Sequence, residues 1–461
     1  MTRSRITYAA HARALLALGV PLVGSHLAQA ALHVSDTVML GWYGVAPLAA
    51  VVLGSSTFFT LFVLGAGFAI AVMPMVANAL GRGDEVQVRR DTRMGLWLSI
   101  LYGAVVVPVL WWSRPILEAM GQEPEIAALA QDYLRIAGFG MIPALLVMVL
   151  KSYLSALEHA GFVLWGTLAG VALNVALNWA LIFGNWGAPE LGVRGAAIAT
   201  LATQLLTVAL LAAYAAAHRD LRRFTLFARF WRADWPAFAQ VFRLGWPIGL
   251  TGLAEGGLFS ASSIMMGWVG TVELAAHGIA LQVASVAFMV HLGLSNAATV
   301  RAGRAAGSGN AEALRDGAIA AIALSFLVGL VMVTLFLTVP AQIVGLFLDA
   351  TNPSAPDVLA FGIVLLATAA LFQLFDAMQA MALGFLRGVQ DTRIPMWIAA
   401  FSYWIVGVPV SYALAFPMGF GGPGLWLGLT AGLAVAAALL MTRFWWGRGL
   451  RTRPSLAIPQ R

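Results

Sequence analysis

The sequence predicts an all-α, polytopic membrane protein whose helices fall into two similar halves. Hydrophobic residues make up 61% of the 461 residues and charged residues only 10%, and the mean hydropathy is +0.85. A soluble globular domain carries about 25% charged residues. A chain this poor in charge is expected to lie mostly within a bilayer.

Apolar stretches long enough to cross a bilayer core, about 20 residues in a helix, recur along the whole chain. Six lie in each half of the sequence, which predicts twelve transmembrane helices. Their predicted bounds are 14–40, 47–78, 92–112, 128–150, 162–184, 193–217, 240–266, 274–300, 317–339, 357–383, 395–416 and 424–446.

An internal repeat relates the two halves. A shift of 226 residues places Leu18-Gly19-Val20-Pro21 on Leu244-Gly245-Trp246-Pro247, and the register continues without a gap to residues 81–83 on 307–309. Because each half has an even number of spans, the repeat is parallel, with its axis along the membrane normal. The predicted domains are an amino-terminal six-helix bundle, 1–225, and a carboxy-terminal one, 226–461.

The basic residues predict the orientation. If the termini and the even-numbered loops share one side, that side holds 24 of the 27 basic residues, Lys151 included, and only Arg114, Arg135 and Arg194 lie opposite. By the positive-inside rule both termini are expected in the cytoplasm.

Three acids are predicted to be embedded in the membrane, namely Asp36, Glu255 and Asp376, and the remaining acids lie in or near predicted loops. A charged acid at the middle of a membrane costs at least about 2.5 kcal/mol, so such residues usually face a protein interior or a watery cavity. We expect all three to bind cations. The alternative is that each acid only joins helices through hydrogen bonds.

Each acid lies on a polar face of its helix. Asp36 ends a stripe that includes Gln29 and His33 at helical spacing, and Gln29 is the repeat partner of Glu255. Asp376 has a glutamine three residues away on each side. Polar faces on three helices favour a lined cavity over isolated packing contacts.

Polar and adaptable apolar residues nearby are candidates for contact with a substrate. Two asparagines share one face of the fifth span, and methionine and phenylalanine suit an adaptable apolar lining. Packing or lipid contact is the alternative for each. The candidate substrate-binding residues are Asp36, Gln282, Phe259, Phe288, Met289, Asn174 and Asn178.

Several function classes are disfavoured. The sequence has no Walker loop for ATP, no HExxH or comparable metal signature and no cysteine. The basic residues that give a net charge of +7 are scattered between apolar spans, which is typical of topology signals and not of nucleic-acid binding. We therefore expect neither an enzyme nor a cofactor, and no nucleic-acid partner.

Four features together resemble the multidrug and toxic compound extrusion (MATE) family, in its NorM-like branch. They are Ser35-Asp36-Thr37-Val38-Met39 in the first span, Ala254-Glu255 in the seventh, Asp376 in the tenth, and the following Gly384-Phe385-Leu386-Arg387-Gly388-Val389-Gln390-Asp391-Thr392-Arg393. The similarity covers nearly the whole chain.

The resemblance implies two six-helix bundles, related by pseudo-twofold symmetry around a central cavity, that export organic cations in exchange for Na⁺ or H⁺. It implies a cation site at Glu255 and Asp376, occupied by Na⁺ if the exchange is sodium-coupled, and a further acid at Asp36. Some relatives have a tyrosine where this chain has Phe372. That departure removes a possible sodium ligand.

The sequence thus predicts a secondary active multidrug antiporter of the bacterial inner membrane, a monomer among membrane lipids, with cationic amphiphilic drugs as substrates and antibiotic resistance as a consequence. One alternative is a flippase for a lipid-linked sugar or peptidoglycan precursor, whose pyrophosphate would need a cationic cavity. A membrane-embedded enzyme such as an acyltransferase is the other, and it would need converging histidine and nucleophile signatures.

Overall fold

The computed structural model describes residues 7–348 and 353–447, and within these ranges it contains helices and no β-strand. Twelve long helices follow one another along the described chain. They are α1 (Tyr8–Tyr43), α2 (Val45–Arg82), α3 (Glu85–Trp111), α4 (Pro124–Ala156), α5 (Ala160–Phe183), α6 (Val193–Ala217), α7 (Trp235–Val269), α8 (Thr271–Gly307), α9 (Ala311–Thr338), α10 (Ala355–Gly388), α11 (Arg393–Ala415) and α12 (Gly421–Trp446).

Two of these helices are composite. In α4, the α-helices Pro124–Ala137 and Met141–Ala156 are joined by a 3₁₀ turn, and α11 contains the seven-residue π-helical segment Phe401–Gly407. Short helices lie between spans at Arg114–Ala119, Arg219–Arg222 and Pro340–Gly345.

The predicted all-α architecture with twelve spans is confirmed. Eleven of the described helices are long and apolar enough to cross a membrane. The remaining one, α7, has 35 residues, and glycines, serines and Glu255 lower its mean hydropathy. Both chain ends lie outside the described residues, so the cytoplasmic placement of the termini stays a prediction.

The helices are longer than the predicted spans, and this corrects the placement of Lys151 in a loop. Lys151 lies inside α4, where its Nζ donates a hydrogen bond to Ser25 Oγ at 3.3 Å. Hydropathy ended the fourth span at residue 150 because a charged residue follows, although the helix continues to Ala156. The long apolar stem of a lysine can lie along a helix while its amine reaches a polar partner.

The internal repeat is visible in the turn that follows the second helix of each half. Gly83 (φ 74°) and Gly309 (φ 65°) adopt the left-handed conformation that ends α2 and precedes α9. The next residue caps the next helix: Asp84 accepts from the Gln87 N–H at 2.9 Å, and Asn310 from the Ala313 N–H at 3.0 Å. Gly and Asx occur here for the same physical reasons in both halves.

The described chain divides into two compact units. The N-unit is Gly24–Leu250, and the C-unit is Met1–Val23 together with Thr251–Arg461. Both α1 and α7 therefore contribute one part to each unit. This division by packing differs from the domain boundary at 225 and 226 expected from the repeat, which stays a prediction.

Backbone contacts through glycine hold helices together within the N-unit. A Cβ on Gly67 of α2 would lie only 2.3 Å from the backbone nitrogen of Gly249 of α7. Such close approach maximises packing where lipid offers no hydrophobic drive for association. A buried cluster around Leu40, Leu110 and Leu145 completes this core.

Close backbone contacts at glycine also join helices within the C-unit. A Cβ on Gly428 of α12 would lie 2.2 Å from Ser411 Cα of α11, and one on Gly293 of α8 would lie 2.7 Å from Val23 N of α1. Gly293 is the repeat partner of Gly67, and Val23 that of Gly249. Each unit therefore contains its own copy of one helix crossing.

Candidate functional site

Asp36 lies at the centre of a hydrogen-bonded group in the N-unit. Asn178 Nδ2 donates to Asp36 Oδ1 at 2.5 Å and to Asn174 Oδ1 at 3.1 Å, and Thr200 Oγ1 donates to Asp36 Oδ2 at 3.4 Å. Both asparagines are fully buried. Three predicted site residues, Asp36, Asn174 and Asn178, are thus brought together.

The helices explain this arrangement. Asn174 and Asn178 are one turn apart on α5, so both side chains reach the same neighbour. Thr200 comes from α6 and was not predicted. Its residue type gives no signal, because threonines on the same helix, such as Thr203, instead bond a backbone carbonyl of their own helix at 2.8 Å.

A cavity of about 390 Å³ opens beside Asp36 within the N-unit. Its aromatic lining comprises Phe58, Phe59, Phe62 and Tyr133. Its polar lining comprises Asp36, Gln29, His33, Thr37, Ser55, Ser56, Thr200 and Gln204, and the remaining lining residues are aliphatic, alanine, glycine or methionine. The predicted stripe of Gln29, His33 and Asp36 therefore lines a cavity.

The other two acids form a second polar group in the C-unit. Asp376 of α10 is only 2% exposed, and its Oδ1 has no hydrogen-bond partner among the described residues. Glu255 of α7 is half-buried and close enough to Asp376 for their charges to repel. Arg387, also on α10, lies within electrostatic reach of Glu255. Two acids and one base give this group a net charge of −1 when all three are ionised.

Amide and phenol groups extend this group. Gln379 Nε2 donates to the hydroxyl of Tyr403, and both side chains are buried. Gln379 Oε1 and both side-chain polar atoms of Gln373 have no partner among the described residues. Tyr403 lies in the π-helical segment of α11, a distortion that often marks functional sites. Buried polar atoms without partners are uncommon and leave bonding capacity for an ion or water.

Packing of α11 against α7 fixes the neighbourhood of Glu255. Trp404 Nε1 donates to the carbonyl of Ala254 at 3.2 Å, and the ring covers Gly257, where a Cβ would lie 2.7 Å from Trp404 Cζ2.

Arg387 and Tyr403 were both missed as site residues. Arg387 follows Asp376 by eleven residues, about three helical turns, and so lies on the same face of α10. Extending that helix by one turn beyond its predicted end would have found it. Tyr403 carries no comparable signal, because a single tyrosine in an apolar span usually indicates helix packing.

Phe372 lies in an aromatic cluster. Its ring centroid is 6.1 Å from that of Phe259 and 5.4 Å from that of Trp426. Trp426 Nε1 in turn donates to His277 Nδ1 at 3.1 Å, and His277 Nε2 lies 3.3 Å from Ser262 Oγ. Phe259, a predicted substrate-binding residue, therefore packs against Phe372, the position where some relatives carry tyrosine.

The remaining candidates lie on α8. Gln282 is exposed, and Phe288 and Met289 are half-buried. Across the described residues, none of these three forms a hydrogen bond, and Phe288 forms no ring contact, with the group around Glu255. Their role in substrate contact stays a prediction.

A separate cluster in the N-unit has the ligand spacing of a metal site. Possible ligand atoms of His159, His218 and Asp220 lie within 4.8 Å of one another. However, His159 Nδ1 already lies 3.0 Å from the Tyr214 hydroxyl, and Asp220 is exposed. Burial also lowers the pKa of His159. This geometry alone does not define a metal site.

In the described ranges, twelve long helices form two units, with one acid at the polar site of the N-unit and two at that of the C-unit, an arrangement typical of a multi-pass membrane transporter. A sequence model of the MatE family matches residues 21–180 and 247–413. The chain belongs to the MatE family, which confirms both the resemblance found in the sequence and the expectation of a transporter and not an enzyme.

Similar proteins cover almost the whole chain. It is 51% identical over 444 residues to the probable multidrug resistance protein NorM of Rhizobium meliloti, covering 96% of this chain and 95% of that protein. It is 45% identical over 434 residues to the probable multidrug resistance protein NorM of Agrobacterium fabrum, covering 94% and 93%.

Solved structures share the fold. A crystal structure of MATE in the straight conformation matches with a TM-score of 0.85 at 23% identity, over 96% of each chain. An outward-facing multidrug resistance MATE family transporter matches with a TM-score of 0.83 at 24% identity, again over 96% of each chain.

Proposed function

We propose that this protein exports cationic, amphiphilic drugs across the bacterial inner membrane by alternating access, in exchange for Na⁺ or H⁺. The observation that carries the proposal is that Asp36, the one acid among the described lining residues, lies in the wall of a cavity of about 390 Å³ that is otherwise mainly aromatic and aliphatic. The names of the NorM relatives, which call them multidrug resistance proteins, support the same substrate class.

The cavity suits an amphiphile with one positive charge. Aromatic rings such as Phe58 and Phe62 offer apolar area and attract cations over their faces. The Asp36 carboxylate supplies the opposite charge, and Asn178 and Thr200 keep it oriented. Because most of the lining is apolar, charge and apolar area can select a substrate class without demanding one shape.

The C-unit is suited to the coupling ion. Glu255 and Asp376 repel each other, and Arg387 offsets one of the two negative charges. One proton or one Na⁺ then neutralises the remaining charge. Carboxylate oxygens suit either ion, and the unpartnered Oδ1 of Asp376 is free to accept it.

Exchange follows if drug and ion favour opposite conformations. Each ligand shifts the equilibrium only by its difference in affinity between the two states. Loading of the C-unit by the ion and of the N-unit by the drug would then alternate. The distribution of basic residues supports a cytoplasmic location for both termini, and the ion gradient would set the direction of export.

A lipid-linked pyrophosphate is the less suitable substrate. Pyrophosphate is held by arginine or lysine, whereas the described cavity lining contains neither and does contain Asp36.

The test is efflux of a fluorescent organic cation from proteoliposomes under an imposed Na⁺ gradient or an imposed pH gradient. The variants are Asp36→Asn, Glu255→Gln and, as a control, Asp357→Asn, which removes an exposed acid in the first turn of α10. We expect one gradient to drive efflux by the wild type and the control, and both site variants to lose it. Absence of efflux under either gradient would refute the proposal, and so would wild-type efflux by Asp36→Asn.

A further inference from the structure

A strongly basic pocket of about 510 Å³ lies in the N-unit, between the start of α3 and the segment 218–234 that joins α6 to α7. This segment is called the connection. The pocket is distinct from the cavity beside Asp36, with which it shares no lining residue. Its charged lining residues are Arg89, Arg90, Arg93, Arg229, Arg232 and Asp234.

The pocket is built by contacts that hold the connection on one face of α3. Residues spaced four apart on α3, and therefore on one face, bind successive residues of the connection. In order, the pairs are Glu85 with Arg223 at 3.2 Å, Arg89 with the Thr225 hydroxyl at 2.8 Å, Arg93 with the Arg229 carbonyl at 3.2 Å, and Trp97 with the Phe230 carbonyl at 2.9 Å. This regular pairing makes the pocket part of the fold.

The positive charges in the pocket are poorly compensated. Among the described lining residues Asp234 is the only acid, and it is already paired with Arg90. Arg93 is buried, and its Nε has no hydrogen-bond partner among the described residues. The side chains of Arg229 and Arg232 make no hydrogen bond or ion pair within the part of the chain that the structure describes.

Like charges at close range oppose folding of this region. The charge of Arg93 is repelled by those of Arg89, Arg90 and Arg232. The net charge of the lining is +4, from five arginines and one aspartate. A bound anion would relieve this repulsion.

We propose that this pocket binds a phosphate group, carried by an anionic phospholipid or by a soluble phosphate. Guanidinium groups bind phosphate oxygens through paired N–H donors, and several arginines converge here. An organic carboxylate would satisfy fewer of these donors, because it offers two oxygens.

The surroundings of the pocket suit a lipid headgroup. Trp235 lines it and Trp231 lies next to Arg232, and both rings are largely exposed. Tryptophan is enriched where membrane meets water, and basic pockets on the cytoplasmic side bind anionic headgroups. The basic residues predict the cytoplasmic side for this end of α3.

The experiment measures ligand binding to the full chain by native mass spectrometry after reconstitution in phosphatidylcholine nanodiscs, with no drug and no ion gradient. Phosphatidylglycerol is added in one series and inorganic phosphate in another. The variant Arg229→Gln/Arg232→Gln removes two pocket charges and none of the side-chain contacts that anchor the connection. We expect it to weaken binding about 30-fold.

Two further variants make the result specific. Arg219→Gln/Arg222→Gln removes the same charge from exposed residues of the same connection outside the pocket, and should bind as the wild type does. Arg229→Lys/Arg232→Lys keeps the charge and should retain most of the affinity.

Selective loss in the phosphatidylglycerol series would identify a lipid, and selective loss in the phosphate series a soluble ligand. Equal binding by Arg229→Gln/Arg232→Gln and the wild type would overturn the proposal. Equal weakening by Arg229→Gln/Arg232→Gln and Arg219→Gln/Arg222→Gln would also overturn it, and so would the absence of binding of either ligand. The readout needs no transport, so it is independent of the proposed export activity.

Discussion

Asn178 donates one amide group both to the Asp36 carboxylate, at 2.5 Å, and to the Asn174 carbonyl oxygen, at 3.1 Å. The acid in the cavity wall is thus held by a residue that is itself held by its neighbour one turn away. These bonds keep the Asp36 carboxylate oriented at the cavity wall. Orientation of this carboxylate should therefore depend on Asn178 more than on Thr200, whose bond is 3.4 Å long.

Substituting Asn178→Ala should weaken binding of an organic cation by about 10- to 100-fold, because a hydrogen bond to a charged group contributes about 1.5–3 kcal/mol. Equilibrium binding of radiolabelled tetraphenylphosphonium to the purified protein measures this effect. Asn185→Ala is the control, since Asn185 Nδ2 donates only to the Trp179 carbonyl in an exposed turn. Equal affinities of the two variants would show that Asn178 does not orient the binding acid.

The charge balance of the C-unit predicts a rescue. With Glu255→Gln, Asp376 and Arg387 neutralise each other, so the group no longer needs a coupling ion and gradient-driven efflux should fall at least tenfold. Adding Arg387→Gln restores a net charge of −1 and should recover part of the efflux. Coupled efflux under the effective gradient measures both steps. A double variant as inactive as Glu255→Gln would show that net charge does not govern coupling.

The acids of both units could be predicted from sequence because ionised residues are rare in membrane spans and costly there. Asp36, Glu255 and Asp376 each interrupt an apolar run, and that signal needs no structure. Thr200 and Tyr403 give no such signal, since hydroxyl residues in membrane helices commonly bond their own backbone or pack. Hydropathy ends the tenth span at residue 383, four residues before Arg387, although the helix continues to Gly388.

The twelve helices could be predicted for the same reason, but their grouping could not. Hydropathy reports which residues avoid water and carries no information on which helices touch. The division of α1 and α7 between the two units depends on backbone contacts at positions such as Gly67 and Gly249. Glycine is common along this chain, and only the structure shows which glycines lie at a crossing.

Substituting Gly67→Ala should destabilise the N-unit by about 1–3 kcal/mol, the usual cost of forcing extra volume into a packed core. The added methyl group would meet the backbone of α7 at Gly245 and Gly249, which cannot rotate away as a side chain can. Thermal unfolding in detergent should show a lower Tm. Gly161→Ala, in the same unit and facing open space, should leave the Tm unchanged, and an equal Tm for both variants would contradict the tight crossing.

The connection between α6 and α7 should respond to pH through Asp234. Arg90 donates to this carboxylate, and the Ala237 N–H adds a bond at 3.2 Å, which together hold the pKa of Asp234 below its usual range. Because the folded pKa is lower than the unfolded value of about 3.9, the pair stabilises the docked connection above about pH 4. That stability is lost as pH falls through the folded pKa.

Substituting Asp234→Asn should therefore speed amide hydrogen exchange in residues 223–237 about fivefold at pH 7, since a partly exposed ion pair contributes up to about 1 kcal/mol. Asp220→Asn removes an exposed acid from the same connection and should leave exchange unchanged. The difference between Asp234→Asn and the wild type should shrink as the pH falls below about 4 and through the folded pKa of Asp234, where the wild-type carboxyl takes up a proton. A difference that persists at low pH would mean that shape, and not charge, holds the connection on α3.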